Sequence, residues 1–400
     1  MSSGPFLRRV VLKNYKSIAA CNLELGALTI LVGPNGSGKS NFLDALRLVS
    51  DALRTTLDHA LRDRGGINEV RRRSSGHPTH FGVRLEFVLA GGVPGHYSFR
   101  VGAKSRGAFE VQTEECVVRG DPPARFRVEE GTRKSNGSGK TAAGLPTDRL
   151  YLVAASHEAE FRPVYDALAH MAFYNLSPDR MRELQTPDAG EILLRDGSNS
   201  ASVLRRLADQ DAGQEKRIED YLAQVVPGVV GVEANSVGPK ETMKFRQNVA
   251  GSPNPWHFLA ANMSDGTLRA FGILLGLFQK GDRWPVSVVG IEEPEIALHP
   301  AAAGILLGAL REVCQETQVI VTSHSPDLLD LVDPERERIL AVHAENGNTE
   351  IAPIDEASVK VLQEGLYTPG ELLRLNQLSP DAKLFGDSMQ QMRLFDEGAA

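Results

Sequence analysis

Gly33-Pro34-Asn35-Gly36-Ser37-Gly38-Lys39-Ser40, followed by Asn41, decides the reading of this chain. Leu28 to Val32 ahead of it is a short Leu, Thr, Ile and Val run that reads as a buried strand. Behind it Phe42, Leu46, Val49 and Leu53 recur at helical spacing, with Leu43 widening the apolar face. A glycine-rich loop between strand and helix lets backbone N–H groups curl around phosphate oxygens, and the helix adds the positive end of its dipole. In such a loop Lys39 reaches the β- and γ-phosphates and Ser40 supplies an oxygen to Mg²⁺. The expectation is a chain that binds and hydrolyses ATP with Mg²⁺. Asn136 to Thr141 repeats the end of the motif, but Lys134 stands where the first glycine belongs and no apolar strand leads in. That copy reads as a decoy.

With 400 residues, 42% hydrophobic and 24% charged, the chain has the composition of a globular protein and room for a large core. Its 44 Lys and Arg against 51 Asp and Glu give a net charge of -7, which excludes a strongly basic nucleic-acid binder. DNA contact would need a local patch. Arg62, Arg64, Arg71, Arg72 and Arg73, with Arg125, Arg127, Arg133, Lys134 and Lys140, offer either a phosphate-binding surface, a hold on a partner, or a merely solvated face. Cys21, Cys116 and Cys314 are few, scattered and odd in number, against a disulfide framework or a Cys-based zinc site. A reducing cytoplasmic setting is expected, with no leader peptide at the start and no apolar run long enough to span a membrane.

Leu7 to Leu12 is a short apolar run that reads as a strand, and alternation at Phe81 to Val88, Tyr97 to Val101 and Phe109 to Val118 predicts an antiparallel sheet beside the glycine loop. Gly131 to Gly144 reads as a surface loop. Tyr165 to Tyr174, Ala201 to Leu207 and Gln214 to Val225 read as helices of an inserted segment. From Met263 the order is helix (Leu268 to Phe278), strand (Val286 to Ile291), helix (Ala301 to Cys314) and strand (Gln318 to Thr322), which is α/β alternation around a mostly parallel sheet. The predicted division is 1–150, 151–260 as the inserted and mainly helical segment, 261–345, and a C-terminal cap and tail at 346–400.

An ATP-hydrolysing site also needs acids at the end of a neighbouring buried strand. Val286-Ser287-Val288-Val289-Gly290-Ile291-Glu292-Glu293 supplies them, with Glu292 in the metal slot, where Asp is more usual, and Glu293 as general base. His324 follows a second apolar strand, Val319-Ile320-Val321.

Taken in order, Gly33 to Ser40, Met263-Ser264-Asp265-Gly266-Thr267, Glu292-Glu293-Pro294-Glu295-Ile296-Ala297-Leu298-His299-Pro300 and Thr322-Ser323-His324-Ser325-Pro326 resemble the RecF/SMC-like branch of ABC-type ATPases. Within that branch they look most like the stand-alone ATPases related to OLD and Septu-type bacterial defence proteins. Leu12 to Ile18 and Tyr174 to Arg180 share the likeness. It implies a two-lobed α/β ABC-type head with a mixed sheet, an antiparallel side sheet and an inserted helical segment. It further implies that Ser264 and Gly266 cover the γ-phosphate held by the opposite subunit and that His324 senses that phosphate. A homodimer or higher oligomer follows, engaging DNA or a separate nuclease or effector subunit in anti-phage defence or DNA repair. Residues 325–400 are too few for the nuclease domain of larger OLD-type proteins. The alternatives are an ATP-gated scaffold that sequesters an effector with little turnover and, less favoured because of the insertion, a transporter's nucleotide-binding subunit.

After helices at Ser358 to Leu366 and Pro369 to Leu375, Asp381 to Ala400 is polar and expected to be loosely held. Within it Gln391-Met392-Arg393-Leu394-Phe395 resembles the peptide with which bacterial repair proteins engage the sliding clamp. A tail segment docking on its own domain is the other reading.

Overall fold

Leu, Ile and Val runs bury completely where both faces of a strand are covered, and Leu28–Val32 is buried at every residue. A computed structural model describes residues 6–74, 76, 78–134, 144–279, 285–390 and 392–396. In chain order its strands are β1 (Leu7–Tyr15), β2 (Ile18–Glu24), β3 (Leu28–Val32), β4 (His80–Leu89), β5 (Val93–Ala103), β6 (Phe109–Val118), β7 (Ala124–Glu129), β8 (Thr132–Lys134), β9 (Ala172–Tyr174), β10 (Val229–Val237), β11 (Lys240–Gln247), β12 (Trp256–Leu259), β13 (Val288–Glu292), β14 (Gln318–Ser323), β15 (Arg338–Glu345) and β16 (Asn348–Pro353).

The central sheet runs β16-β15-β3-β14-β13-β9 and is parallel except at β16. Alternation along its strands feeds two cores. Leu31, Ile320 and Leu340 join one core with the helix Lys39–Arg54 and the side sheet, while Ile30, Val32, Ile291 and Val321 join the other with the helices Asp265–Phe278 and Ala303–Val313. The side sheet, β2-β1-β4-β5-β6-β7-β8, is antiparallel throughout. These two layers on either side of the Lys39–Arg54 helix make the first lobe, and the helices on the far side of the central sheet make the second.

The inserted segment is more mixed than its sequence suggests. Besides the helices Ser200–Gln210 and Ala212–Val225 it carries the antiparallel sheet β10-β11-β12. Its strands hide from pattern reading because β12 is mostly exposed and β10 does not alternate cleanly. The expected helix from Tyr165 ends at Ala169, and Ala172–Tyr174 turns back as β9 to pair with β13. Three buried residues, Ala-Phe-Tyr, are too short a run to show a period.

Most of the basic stretch is committed within the chain. Arg64 is buried against Asp44 and Asp51, Arg62 pairs with Asp58, Arg73 with Glu69, and Arg125 and Arg127 with Glu115. Arg133 pairs with Glu158, and Arg72 donates to the Asn348 side chain. Arg64 is thus removed from any phosphate-binding surface, while Arg62 and Arg73 keep 75% and 66% of their side chains exposed. Lys140 and the second glycine-lysine copy lie outside the described residues. The three cysteines are free thiols. Among the described residues no helix is long and apolar enough to cross a membrane.

Candidate functional site at the carboxyl ends of the central strands

Parallel strands deliver their following loops to one edge, and ligands of open α/β sheets bind there. Register sets the level: Ser323 lies opposite Val32, and Glu292 opposite Thr322. The glycine loop after β3, His324 after β14 and Glu293 after β13 are thus brought side by side, although Glu293 and His324 stand 260 and 291 positions beyond Gly33 in the sequence. No local pattern in the sequence predicts that proximity; the sheet register alone creates it.

The loop itself is shaped for anion binding. Gly36 and Gly38 adopt left-handed backbone, with φ of 78° and 103°. A Cβ on Gly38 would lie 2.1 Å from Thr349 Oγ1, so this position has no room for a side chain. The helix Lys39–Arg54 starts without a side-chain cap and without an acid in its first turn, which leaves its first N–H groups and its dipole free for a phosphate. Ser37 Oγ is buried without a hydrogen-bond partner, whereas Pro34, Asn35, Gly36 and Ser40 are exposed. Lys39 is 4% exposed, and its ammonium donates to the carbonyls of Gly33 (2.8 Å) and Pro34 (3.0 Å). Burial lowers its pKa below the ordinary lysine value, against the opposing pull of Glu293 and Glu295. These features fit a nucleotide's phosphates.

Across the sheet, Glu293 has a left-handed φ of 46°, an uncommon conformation for a residue with a Cβ. Its N–H donates to Thr322 O at 2.9 Å and to Thr322 Oγ1 at 3.2 Å, which fixes the turn leaving β13. Its carboxylate Oε1 lies 3.3 Å from His324 Nδ1. Glu292 ends β13, and its Oε1 accepts from Arg195 at 2.7 Å. An exposed hydroxyl at Ser40 and the Glu292 carboxylate are hard oxygen donors of the kind that suit Mg²⁺.

Several further residues support this group. Glu295 accepts from Ser323 Oγ (2.7 Å) and from the His324 N–H (3.2 Å), anchoring the backbone that bears His324. Arg269 donates to the carbonyls of Leu176, Glu292 and Glu293, each at 3.2 Å, and so ties its helix to the acidic turn. Ser17, in the turn between β1 and β2, accepts from Asn41 Nδ2 at 2.6 Å and lies 2.7 Å from Thr349 Oγ1. Thr349 in turn donates to Ser37 O at 2.9 Å. Asn41 thus braces the loop from the side.

Ser264 and Gly266 open the helix Asp265–Phe278 in the second lobe. Ser264 caps it by accepting from the Thr267 N–H at 3.2 Å. A Cβ on Gly266 would fall 2.4 Å from Ala297 O, so the glycine admits the chain's own backbone. Arg182 donates to Met263 O and pairs with Asp265. The contacts of Ser264 and Gly266 are therefore with Thr267 and Ala297, and the structure does not bring them into the group formed by Lys39, Glu293 and His324.

A glycine loop, acids and a histidine at the carboxyl edge of a mostly parallel sheet, an antiparallel side sheet, and a capped helix start in a second lobe define an ABC-type P-loop ATPase of the RecF/SMC-like kind. Residues 28–330 match the family described as "AAA domain, putative AbiEii toxin, Type IV TA system", and the chain belongs to that family. It is 25% identical over 345 residues to the OLD nuclease of Thermus scotoductus, covering 81% of this chain and 60% of that protein. It is 37% identical over 106 residues to the DNA replication and repair protein RecF of Gloeobacter violaceus, covering 25% of this chain and 27% of that protein. The chain thus spans about three-fifths of the first relative and about a quarter of the second. In fold it is similar to an Smc head bound to the C-winged helix domain of ScpA, with a TM-score of 0.57 and 13% identity, covering 89% of this chain and 100% of that one. A Pyrococcus furiosus Smc head with an extended coiled coil, bound to the C-terminal domain of ScpA, gives a TM-score of 0.55 at 13% identity, covering 91% of this chain and 100% of that one.

Proposed function

We propose that the chain is a dimerising ATPase head that couples ATP binding and hydrolysis to engagement of DNA or of a separate nuclease subunit, in bacterial defence or DNA repair. The observation that carries this reading is where Ser264 and Gly266 make their contacts: among the described residues their side-chain hydrogen bonds and close approaches are to Thr267 and Ala297, and none is to the phosphate loop of their own chain. A symmetric pair resolves this, each chain lending Ser264 and Gly266 to the other's loop.

In this reading residues 33–41 hold the ATP phosphates and Lys39 turns from the Gly33 and Pro34 carbonyls toward them. Ser40 and Glu292 would hold Mg²⁺, which when bound supplies neutralising charge for the triphosphate. Glu293 accepts a proton from the attacking water, and His324, 3.3 Å from its carboxylate, orients that pair. The OLD nuclease, RecF and Smc likenesses support a role at DNA. Glu293→Gln should retain ATP binding, lose about 10²- to 10⁴-fold in hydrolysis, and elute as a dimer when ATP is present. An ATP-loaded variant that remains monomeric at every concentration tested would overturn the shared-site reading.

A further inference from the structure

The outer face of the side sheet is polar and yet largely covered. Alternation places Gly82, Arg84 and Glu86 of β4, His96 and Arg100 of β5, Glu115 of β6, and Arg125 and Arg127 of β7 on this face by register. A polar sheet face of this kind is normally open to water. Here the side chains of Arg84, His96 and Glu115 are only 8%, 1% and 0% exposed. Part of the cover is the chain's own C-terminal segment.

Leu394 sits over Gly82, where a Cβ would come within 2.4 Å of Leu394 Cδ1. The strand glycine leaves the space that the leucine fills. The Phe395 ring lies near two guanidinium groups, its centroid 5.8 Å from Arg100 Cζ and 5.6 Å from Arg127 Cζ. Asp396 pairs with Arg84 at 3.0 Å and Arg119 at 3.6 Å, and its backbone carbonyl accepts from Arg127 at 3.1 Å. Arg84 also donates to Leu394 O at 3.4 Å. His96, Glu115 and Asp396 bring ligand atoms within 4.8 Å of one another, but the surrounding Arg84, Arg119, Arg125 and Arg127 disfavour a cation there.

We propose that this face is a docking site for a short aliphatic-aromatic-acidic peptide, and that Leu394-Phe395-Asp396 fills it in cis as a displaceable latch. Leucine, ring and carboxylate each meet a matching feature: a glycine gap, a pair of guanidinium groups, and Arg84 with Arg119. While the latch is closed, the apolar pair and the arginine face hide each other. Any partner that takes one must displace the other.

The test uses two full-length chains, wild type and Phe395→Ala with Asp396→Asn, and a fluorescent peptide of residues 392–400 followed by anisotropy. The peptide should bind the double variant and bind wild type at least about tenfold more weakly, because the tethered segment competes at high local concentration. Arg84→Glu added to the double variant should abolish binding while thermal unfolding stays cooperative. Tryptic cleavage after Arg393 should be about tenfold faster in the double variant than in wild type. Equal peptide binding by both chains, no binding by the folded double variant, or equal cleavage rates would each overturn the proposal.

Discussion

Thr349 is a buried residue on the antiparallel edge strand β16, yet it holds the phosphate loop. Its hydroxyl donates to Ser37 O at 2.9 Å and meets Ser17 Oγ at 2.7 Å. Replacing it with valine keeps the shape and removes both bonds, leaving the Ser37 carbonyl and the Ser17 hydroxyl each one partner short. An unmade buried hydrogen bond costs about 1–3 kcal/mol. A loss of about 2 kcal/mol borne by the loop's binding conformation would weaken ATP binding by about thirtyfold. Titration of Thr349→Val with a fluorescent ATP analogue, beside a thermal unfolding curve, measures this. Thr349→Ser keeps the hydroxyl and should bind within about threefold of wild type. If Thr349→Val binds ATP like wild type while its stability drops, the hydroxyl secures the fold and not the loop, and the reasoning fails.

Three other substitutions follow from the same geometry. Asp44, on the loop's helix, takes hydrogen bonds from Tyr15, Arg47 and Arg64 and an ion pair from Lys16, so Asp44→Asn should cost about 1.5–3 kcal/mol by weakening these charge-assisted bonds while Asp51 still pairs with the buried Arg64, as read from urea unfolding. Burial pushes the Asp44 carboxyl up, but Arg64, Lys16 and Arg47 outweigh it and bring it down to about 2. A depressed carboxylate stabilises fully above its unfolded value, about 3.9, and that stabilisation is lost as pH falls through about 2, so the gap between wild type and Asp44→Asn should close on acidification. Gly266→Ala forces a Cβ against Ala297 O, and it should lower ATPase activity while leaving binding of the fluorescent ATP analogue unchanged. Arg269→Ala removes three hydrogen bonds to carbonyls beside the acidic turn and should reduce stability by about 2–3 kcal/mol, together with hydrolysis.

What was legible in the sequence is what is local. Gly33 to Ser40 reads directly because a strand, a glycine turn and a helix follow one another without interruption. Glu292 and His324 read almost as well, since each ends an apolar run that can only be a buried strand. The bracing residues were hidden because their partners are remote: Ser17 and Thr349 stand 332 positions apart. Arg64 looked like part of a basic surface, although its side chain is buried against two aspartates on the loop's helix. Glu293's left-handed backbone has no signature, because the neighbouring strand imposes it through Thr322. The tail's sequence reads as either a clamp-binding peptide or a segment docked on its own domain, and the fold shows Leu394 to Asp396 docked, an arrangement that depends on Gly82 and on arginines from separate strands.

The shared site can be tested most directly by mixing two inactive chains. In Lys39→Ala the loop is disabled, and in Ser264→Arg the helix start that should cover the partner's loop is disabled. Each chain alone should be inactive. Mixed in equal amounts and allowed to exchange, half the dimers carry one intact composite site, so roughly a quarter of wild-type ATPase activity should return. No recovery in a mixture proven to form mixed dimers, or full activity from Ser264→Arg alone, would contradict a site divided between two chains.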